Sequence, residues 1–334
     1  MTPYYDKNGI TIYCGDNLEI IPKLDVTFDT AILDPPYFRI VKSEWDKQWK
    51  TLDDYIKWLE KRIVEIKKVL SVKGSFYIFA DDKNCAYVQV MIDKHLTLLN
   101  SLVWFKTNNL PIKAVHKFRS YAPMTERILF YTPQLCRTGL ETVMLDINNF
   151  VPLREYFKEY QAAIGLSKKA IMEKVGQKAD HCFRYNSTQW DLPTKETYNE
   201  LGQFATSGFL RREYEDLRRE YEDLRRVFNA SASTLDVISG PIITVKENTL
   251  HPTTKPLWLL NQLITTSTNP SDIIIDSFMG SGTTLKAAQD LGRRCVGIEL
   301  DEDYCKIAVE RLRQQSLFSV PETKKPEVRQ VKLF

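Results

Sequence analysis

Apolar residues along this chain change their rhythm twice. Up to about residue 135, short strand-like runs alternate with stretches at helical spacing. Ile10-Thr11-Ile12-Tyr13-Cys14 alternates as a half-buried strand does, and Gly15-Asp16 ends it. Phe28 to Leu33 reads as a buried strand. Leu52, Tyr55, Ile56, Leu59, Ile63, Ile66 and Leu70 recur at helical spacing, with Thr51 and Asp54 as a capping pair and Gly74 closing the segment. Ser75 to Ala80 is the next strand, followed by a helix over about 84–94 and strands at 98–105 and 126–131. Residues 38–50, with Arg39, Lys42, Lys47, Trp45 and Trp49, show no period and read as a loop.

From 136 to 244 the strand-like runs give way to helical ones, which predicts an inserted module. Ser167 caps a predicted helix to Val175, Gly176 breaks it, and a second helix is predicted from Lys178 to Tyr185, in the outline of a helix-turn-helix. The heptad Arg212-Glu213-Tyr214-Glu215-Asp216-Leu217-Arg218 then repeats directly as 219–225. With Leu210 and Phe228, the apolar positions form a seam along one long helix, which packs on the module or on a second copy of the chain in a homodimer.

Beyond 244 the alternation returns. An apolar helix runs from Leu257 to about Thr265 after Pro256. Asp272 to Asp276 is strand, Ser277 to Gly282 a glycine loop, and a helix follows through Leu285, Ala288 and Leu291. Strand Arg294 to Glu299 and a helix from about Asp303 complete a βαβ unit.

The 334 residues are enough for a large domain with an insert, and 43% apolar content supports a core. A net charge of +3 says little about nucleic acid, so local clusters must carry that point. The six cysteines show neither a C-x-x-C pair nor zinc-like spacing; reduced thiols, no metal and a cytoplasmic location are expected. Neither a signal peptide nor a run of membrane-spanning length is read.

Two stretches carry chemistry. Asp34-Pro35-Pro36-Tyr37 follows a strand, where open α/β sheets place ligands. The prolines stiffen the turn and leave carbonyls free to accept. A carboxylate, a proline carbonyl and a flat ring suit a planar base bearing an amino group. Taken alone, the same residues also make an ordinary surface turn. The second stretch is the glycine loop with Glu299 at the end of the next strand, the pattern of a nucleoside site. It has G-x-G without a third glycine and no phosphate-cradling lysine, so S-adenosylmethionine fits better than NAD or ATP. Between the strands at 98–105 and 126–131, Lys106, Lys113, Lys117 and Arg119 lie in a loop without an acid, read as a phosphate contact or a solvated loop. Lys168, Lys169, Lys178 and Arg184 put a positive surplus on the insert.

The chain resembles the DNA amino-methyltransferases, through Asp34-Pro35-Pro36-Tyr37, Phe278-x-Gly280-x-Gly282, Glu299 and the segment His251 to Pro256. With the acid turn first and the glycine loop last, it looks like their permuted beta group. The resemblance covers about 1–135 and 245–315; it implies a Rossmann-like α/β methyltransferase sheet of seven strands, with the catalytic domain taken as 1–135 and 245–318, and makes the helical insert at 136–244 the target-recognition region. The charged, proline-containing stretch 319–329 reads by its composition as part of a flexible tail over 319–334. It implies double-stranded DNA as substrate, base flipping, and catalysis by Asp34, Pro35, Pro36 and Tyr37. Asp16, Asp34, His251, Thr254, Lys255, Asp276, Phe278, Gly280, Gly282, Thr283 and Glu299 are expected at the cofactor, with Lys255 meeting a carboxylate. Adenine N6 is favoured by the resemblance; cytosine N4, an RNA or protein substrate, and an inert DNA-binding regulator stay open. A bacterial or phage source is expected. In the tail, Gln314 to Phe318 and Gln330 to Phe334 read first as a helix end and a frayed terminus; they also look like peptides that dock on bacterial sliding clamps.

Overall fold

The computed structural model describes residues 1–38, 48–108, 119, 121–134, 150–187, 189–204, 212–229, 231, 234–242 and 254–313. It begins with a hairpin, β1 (Tyr5–Lys7) and β2 (Ile10–Cys14). The turn is Asn8-Gly9, both with positive φ, as a two-residue hairpin turn demands. Asp16 caps α1 (Asn17–Ile20), and β3 (Phe28–Leu33) follows. Helix α2 (Leu52–Val69) starts on the expected capping box of Thr51 and Asp54. It leads straight into β4 (Leu70–Ala80), then α3 (Cys85–Ile92), β5 (Thr97–Lys106) and β6 (Thr125–Thr132).

The insert holds α4 (Val151–Ile164), α5 (Lys168–Val175), α6 (Lys195–Gly202) and α7 (Tyr214–Leu224). Strand β7 (Val237–Gly240) returns to the sheet, and α8 (Leu257–Ser267), β8 (Ile273–Asp276), α9 (Thr283–Asp290), β9 (Arg294–Glu299) and α10 (Glu302–Arg313) complete the described chain. Among the described residues no helix is long and apolar enough to cross a membrane.

The strands form one sheet in the order β1-β2-β9-β8-β3-β4-β6-β5-β7. The seven expected strands are its middle. Hairpin strand β1 lengthens one edge and β7, parallel to β5 (Val103↔Val237), the other. Alternation sorts the sheet's two faces: Ile32, Tyr77 and Phe79 point into a core under α8, α9 and α10. Ala31, Leu33, Phe76 and Ile78 point into a second core under α2 and α3.

The insert departs from its expected outline in three places. The second half of the helix-turn-helix is absent: 177–179 and 181–183 are 3-10 turns. Ala179 and Cys182 are both buried, and their three-residue spacing puts them on one face of a 3-10 turn. The long helix spans 214–224, not 210–228; Leu210 lies outside the described residues. It stops because Arg225 is extended and Phe228 leaves to stack on Phe130 of the sheet, ring centroids 6.1 Å apart. Residues 237–240, expected inside the helical stretch, are the edge strand β7 instead. The heptad seam faces its own module: Leu217 and Tyr221 are buried among Phe150, Phe157 and Trp190. Leu217 is fully buried. Leu217→Ala should therefore cost about 3 kcal/mol in denaturant unfolding of the full chain.

Candidate active site

β3 and β8 are parallel neighbours, with Thr30 opposite Ile274 and Ala31 opposite Ile275. Their carboxyl ends therefore finish side by side, Asp34 after one and the glycine turn after the other. The acid turn and the glycine turn, far apart in sequence, thus share one cleft mouth. Thr254 and Lys255 straddle the two. The Thr254 and Ser281 hydroxyls lie 3.3 Å apart, and Lys255 Nζ donates to both Asp34 oxygens at 2.7 Å.

Lys255 thus meets a carboxylate, but a protein one. A second acid joins it: Glu126, at the start of β6, accepts from Lys255 at 3.0 Å and from Lys106 at 2.8 Å. The Tyr37 hydroxyl donates to Glu126 Oε1 at 2.6 Å and lies 3.0 Å from Asp34 Oδ1. Two carboxylates and two ammoniums balance. The side chains of Lys255 and Glu126 are only 10% and 8% exposed, whereas that of Asp34 is 25% exposed.

Burial opposes the Glu126 charge, but Lys255 and Lys106 overcome it and hold the carboxyl down to about 2. Burial first, then the Glu126 charge, push the Asp34 carboxyl above its ordinary range, against the pull of Lys255. Lys255 stays charged: its burial favours the neutral amine, yet Asp34 and Glu126 outweigh this and raise it. Burial first, then the two acids, raise Tyr37 well above the usual phenol range, so it remains a donor.

The other wall is the glycine turn. Gly280 N–H donates to Glu299 Oε2 at 3.0 Å, and Asp301 N–H donates to Oε1 at 3.0 Å. Burial raises the Glu299 carboxyl, against these backbone bonds. Gly282 starts α9 with φ +78°, and a Cβ there would lie 2.7 Å from the Cβ of Ala308. Thr283 and Thr284 are buried behind it, Thr283 accepting from Arg311. Asp16 caps Leu18 N–H at 2.9 Å and takes the Arg62 guanidinium at 3.3 Å. Arg62 lies over Trp58, whose ring is 5.8 Å from that of Phe278. Asn17 donates to the Ser277 carbonyl at 2.9 Å. Asn17 Oδ1 and Ser277 Oγ are buried with no hydrogen-bond partner among the described residues. Orphaned polar atoms beside a glycine cradle fit a polar nucleoside-type ligand.

Asp276 is buried just behind this turn, and burial raises its carboxyl to about 7 against bonds from Thr284 and the Phe278 N–H. Its folded value lies above its unfolded one, so the stability this proton contributes is full below about pH 4 and is lost as pH rises through about 7. Asp276→Asn should remove that part of the slope: wild type loses more melting temperature than the variant between about pH 5 and about pH 8, read by thermal unfolding.

Among the described residues, four of the expected phosphate contacts are paired with acids. Lys106 belongs to the Glu126 cluster and sits 5.1 Å from the Trp104 ring centroid, not on an open loop. Lys168 and Arg184 both pair with Asp180, and Lys178 with Glu200 at 2.6 Å. Lys169 and Arg119 are exposed. His251, Lys113 and Lys117, like the tail from 314, lie outside the described residues. Glu126 is what sequence reading missed. An acid opening an apolar strand was visible, but only its partners distinguish it from a solvated one.

The fold and cleft define an α/β protein of the Rossmann-like methyltransferase class. A family model described as DNA methylase, of the N6/N4 group, matches residues 28–310. The chain belongs to this family of DNA methyltransferases. It is 26% identical over 329 residues to the DNA adenine methyltransferase YhdJ of Escherichia coli, covering 97% of this chain and 90% of that protein. Its fold is like that of the PvuII DNA methyltransferase, cytosine-N4-specific, at a TM-score of 0.56 and 15% identity, over 94% of this chain and 90% of the other. It is also like that of M1.HpyAVI in complex with SAM, at a TM-score of 0.53 and 21% identity, over 91% and 100% of the two chains.

Proposed function

We propose that the chain is a site-specific DNA methyltransferase that uses S-adenosylmethionine to methylate the N6 amine of adenine in duplex DNA. The observation that carries this reading is the meeting of the Asp34 turn with the glycine turn, joined through Thr254 and Lys255. When bound, S-adenosylmethionine supplies a methyl group activated on a sulfonium. Gly280 and Gly282 let the backbone approach it, Glu299 is the acid for its ribose hydroxyls, and Asn17 Oδ1 and Ser277 Oγ are unspent polar atoms beside it. Asp16, Asp276, Phe278, Thr283 and Thr254 frame the same wall.

The target base leaves the duplex stack, because its amine cannot otherwise reach the methyl group. The Asp34 carboxylate and the Pro35 carbonyl accept the two amine hydrogens, which draws the nitrogen lone pair out of conjugation. Pro36 keeps the turn rigid. The Tyr37 ring stacks on the base, and its hydroxyl, bonded to Glu126, keeps the ring from rotating away. The contribution of these residues is position and fixed polarity. The insert, with exposed Lys169, is the region for reading sequence, and Lys113, Lys117 and exposed Arg119 between β5 and β6 are further phosphate contacts.

Adenine rather than cytosine is favoured by the named adenine relative. Incubation with methyl-labelled S-adenosylmethionine and duplex DNA, then digestion to nucleosides, should put the label in N6-methyladenine. Label in N4-methylcytosine would replace the base assignment, and unlabelled DNA would remove the reading.

A further inference from the structure

The cluster around Asp34 contains more than its proposed task needs. Lys255 has three N–H donors, and all three are matched: two face the Asp34 oxygens at 2.7 Å and one faces Glu126 at 3.0 Å. The rings of Phe79 and Tyr37 flank the ammonium, centroids 4.9 and 5.5 Å away. Glu126 touches Lys255, Lys106 and the Tyr37 hydroxyl, and it is the buried acid of the two. Asp34 is the more exposed acid of the two.

An ionised carboxylate offers about four lone-pair sites, so Asp34 still has acceptor capacity when Lys255 is in place. A protonated carboxyl would convert one acceptor oxygen into a donor and lose its pull on an amine. Burial, and to a lesser degree the Glu126 charge, push Asp34 towards that form, and Lys255 opposes both, so what Glu126 contributes is the placement of Lys255. A lysine stem is flexible, so an ammonium that must stay across both oxygens needs a second anchor. Glu126 is placed to be that anchor.

We propose that Glu126 and Lys255 act as a positioning pair: Glu126 anchors Lys255 across both oxygens of Asp34, so that Asp34 remains an ionised acceptor aimed at the target amine. This rests on the reading of Asp34 as the acceptor of that amine. Among the described residues, the charged or titratable groups that act on Asp34 are Lys255 before α8, Glu126 on β6, Tyr37 on its own turn and Asp276 on β8, with Lys106 on β5 behind Glu126. Among the described residues, Lys255 is the group that donates to both Asp34 oxygens.

The test is single-turnover transfer of labelled methyl to duplex DNA by the full chain across a pH series, with cofactor affinity measured by calorimetry. Lys255→Met should slow transfer by about a hundredfold at neutral pH and leave cofactor affinity within about twofold. It should also move the acidic limb of the rate profile to higher pH by about one unit or more, since Asp34 loses its opposing charge. Glu126→Gln, of the same shape, should slow transfer by about tenfold at unchanged cofactor affinity. A merely structural role would lower the melting temperature and leave the pH limb where it was. Lys255→Met with the wild-type rate and limb overturns the proposal. If Lys255→Met fails to bind cofactor, Glu126→Gln decides, and a wild-type rate there overturns it. Asp34→Ala in the same assay separates the two readings. Full transfer by Asp34→Ala removes the acceptor itself; an inactive Asp34→Ala beside a wild-type Lys255→Met removes only the positioning pair.

Discussion

Asp34→Ala lowers methyl transfer by about three orders of magnitude while the cofactor still binds. This is the largest effect expected of any single change in the chain. The alanine has no acceptor, so the amine lone pair stays conjugated and the nitrogen is not held towards the methyl group. The fold should survive, because Lys255 keeps Glu126 at 3.0 Å and is not left as a buried charge without a partner. Single-turnover transfer and calorimetric cofactor binding, measured on the same preparation, check the split. Transfer within about tenfold of wild type would be too small a loss for the sole side-chain acceptor of the amine. Asp34→Asn should fall between the two. It keeps one acceptor oxygen but turns an amide N–H towards Lys255, which donates to both positions.

Gly282→Ala destabilises the protein by about 2 kcal/mol or more and lowers its melting temperature by roughly 5 °C. Two costs combine there. The backbone is left-handed, with φ +78°, and the added Cβ would sit 2.7 Å from the Cβ of Ala308 on α10. Relief requires α10 to move away from α9, which shifts the glycine turn, so cofactor affinity should fall as well. Gly165→Ala is the control. Gly165 is also left-handed, at φ +65°, but a Cβ there meets nothing within 4 Å. The difference between the two variants in thermal unfolding isolates the contact with Ala308, and equal losses would assign the whole effect to backbone strain.

Legibility differed by residue. Asp34-Pro35-Pro36-Tyr37 and the glycine loop could be read because their constraints are local: proline fixes its own φ and glycine permits its own. The strands around them were legible for the same reason, since burial on alternate faces leaves a period in the chain. The Asn8-Gly9 turn also carried its signal, and hairpin strand β1 could have been read from it. The second helix of the insert was misread. Its spacing suits a helix, but Ala179, Cys182 and Phe183 anchor in the module's core through two 3-10 turns. The cations at Lys168, Lys178 and Arg184 looked like a nucleic-acid surface because their acids, Asp180 and Glu200, face them only in the fold. Two of these pairs, Lys168 with Asp180 and Lys178 with Glu200, join residues a dozen positions or more apart. Such pairs are partly exposed and of small worth, so they restrain the lysines without excluding a phosphate.

The sequence by itself determined that the chain has an α/β sheet with an inserted helical module, and which turns at its carboxyl edge carry an acid and two glycines. Those are properties of single residues and short periods. Only the tertiary structure decided which side chains share a cleft with Asp34. Glu126, Lys106 and Lys255 come from three separate stretches, and each alone is an unremarkable charge. The state of a buried ion depends on the distance to its neighbours and on the water removed from between them, and neither is a property of the order of residues along the chain.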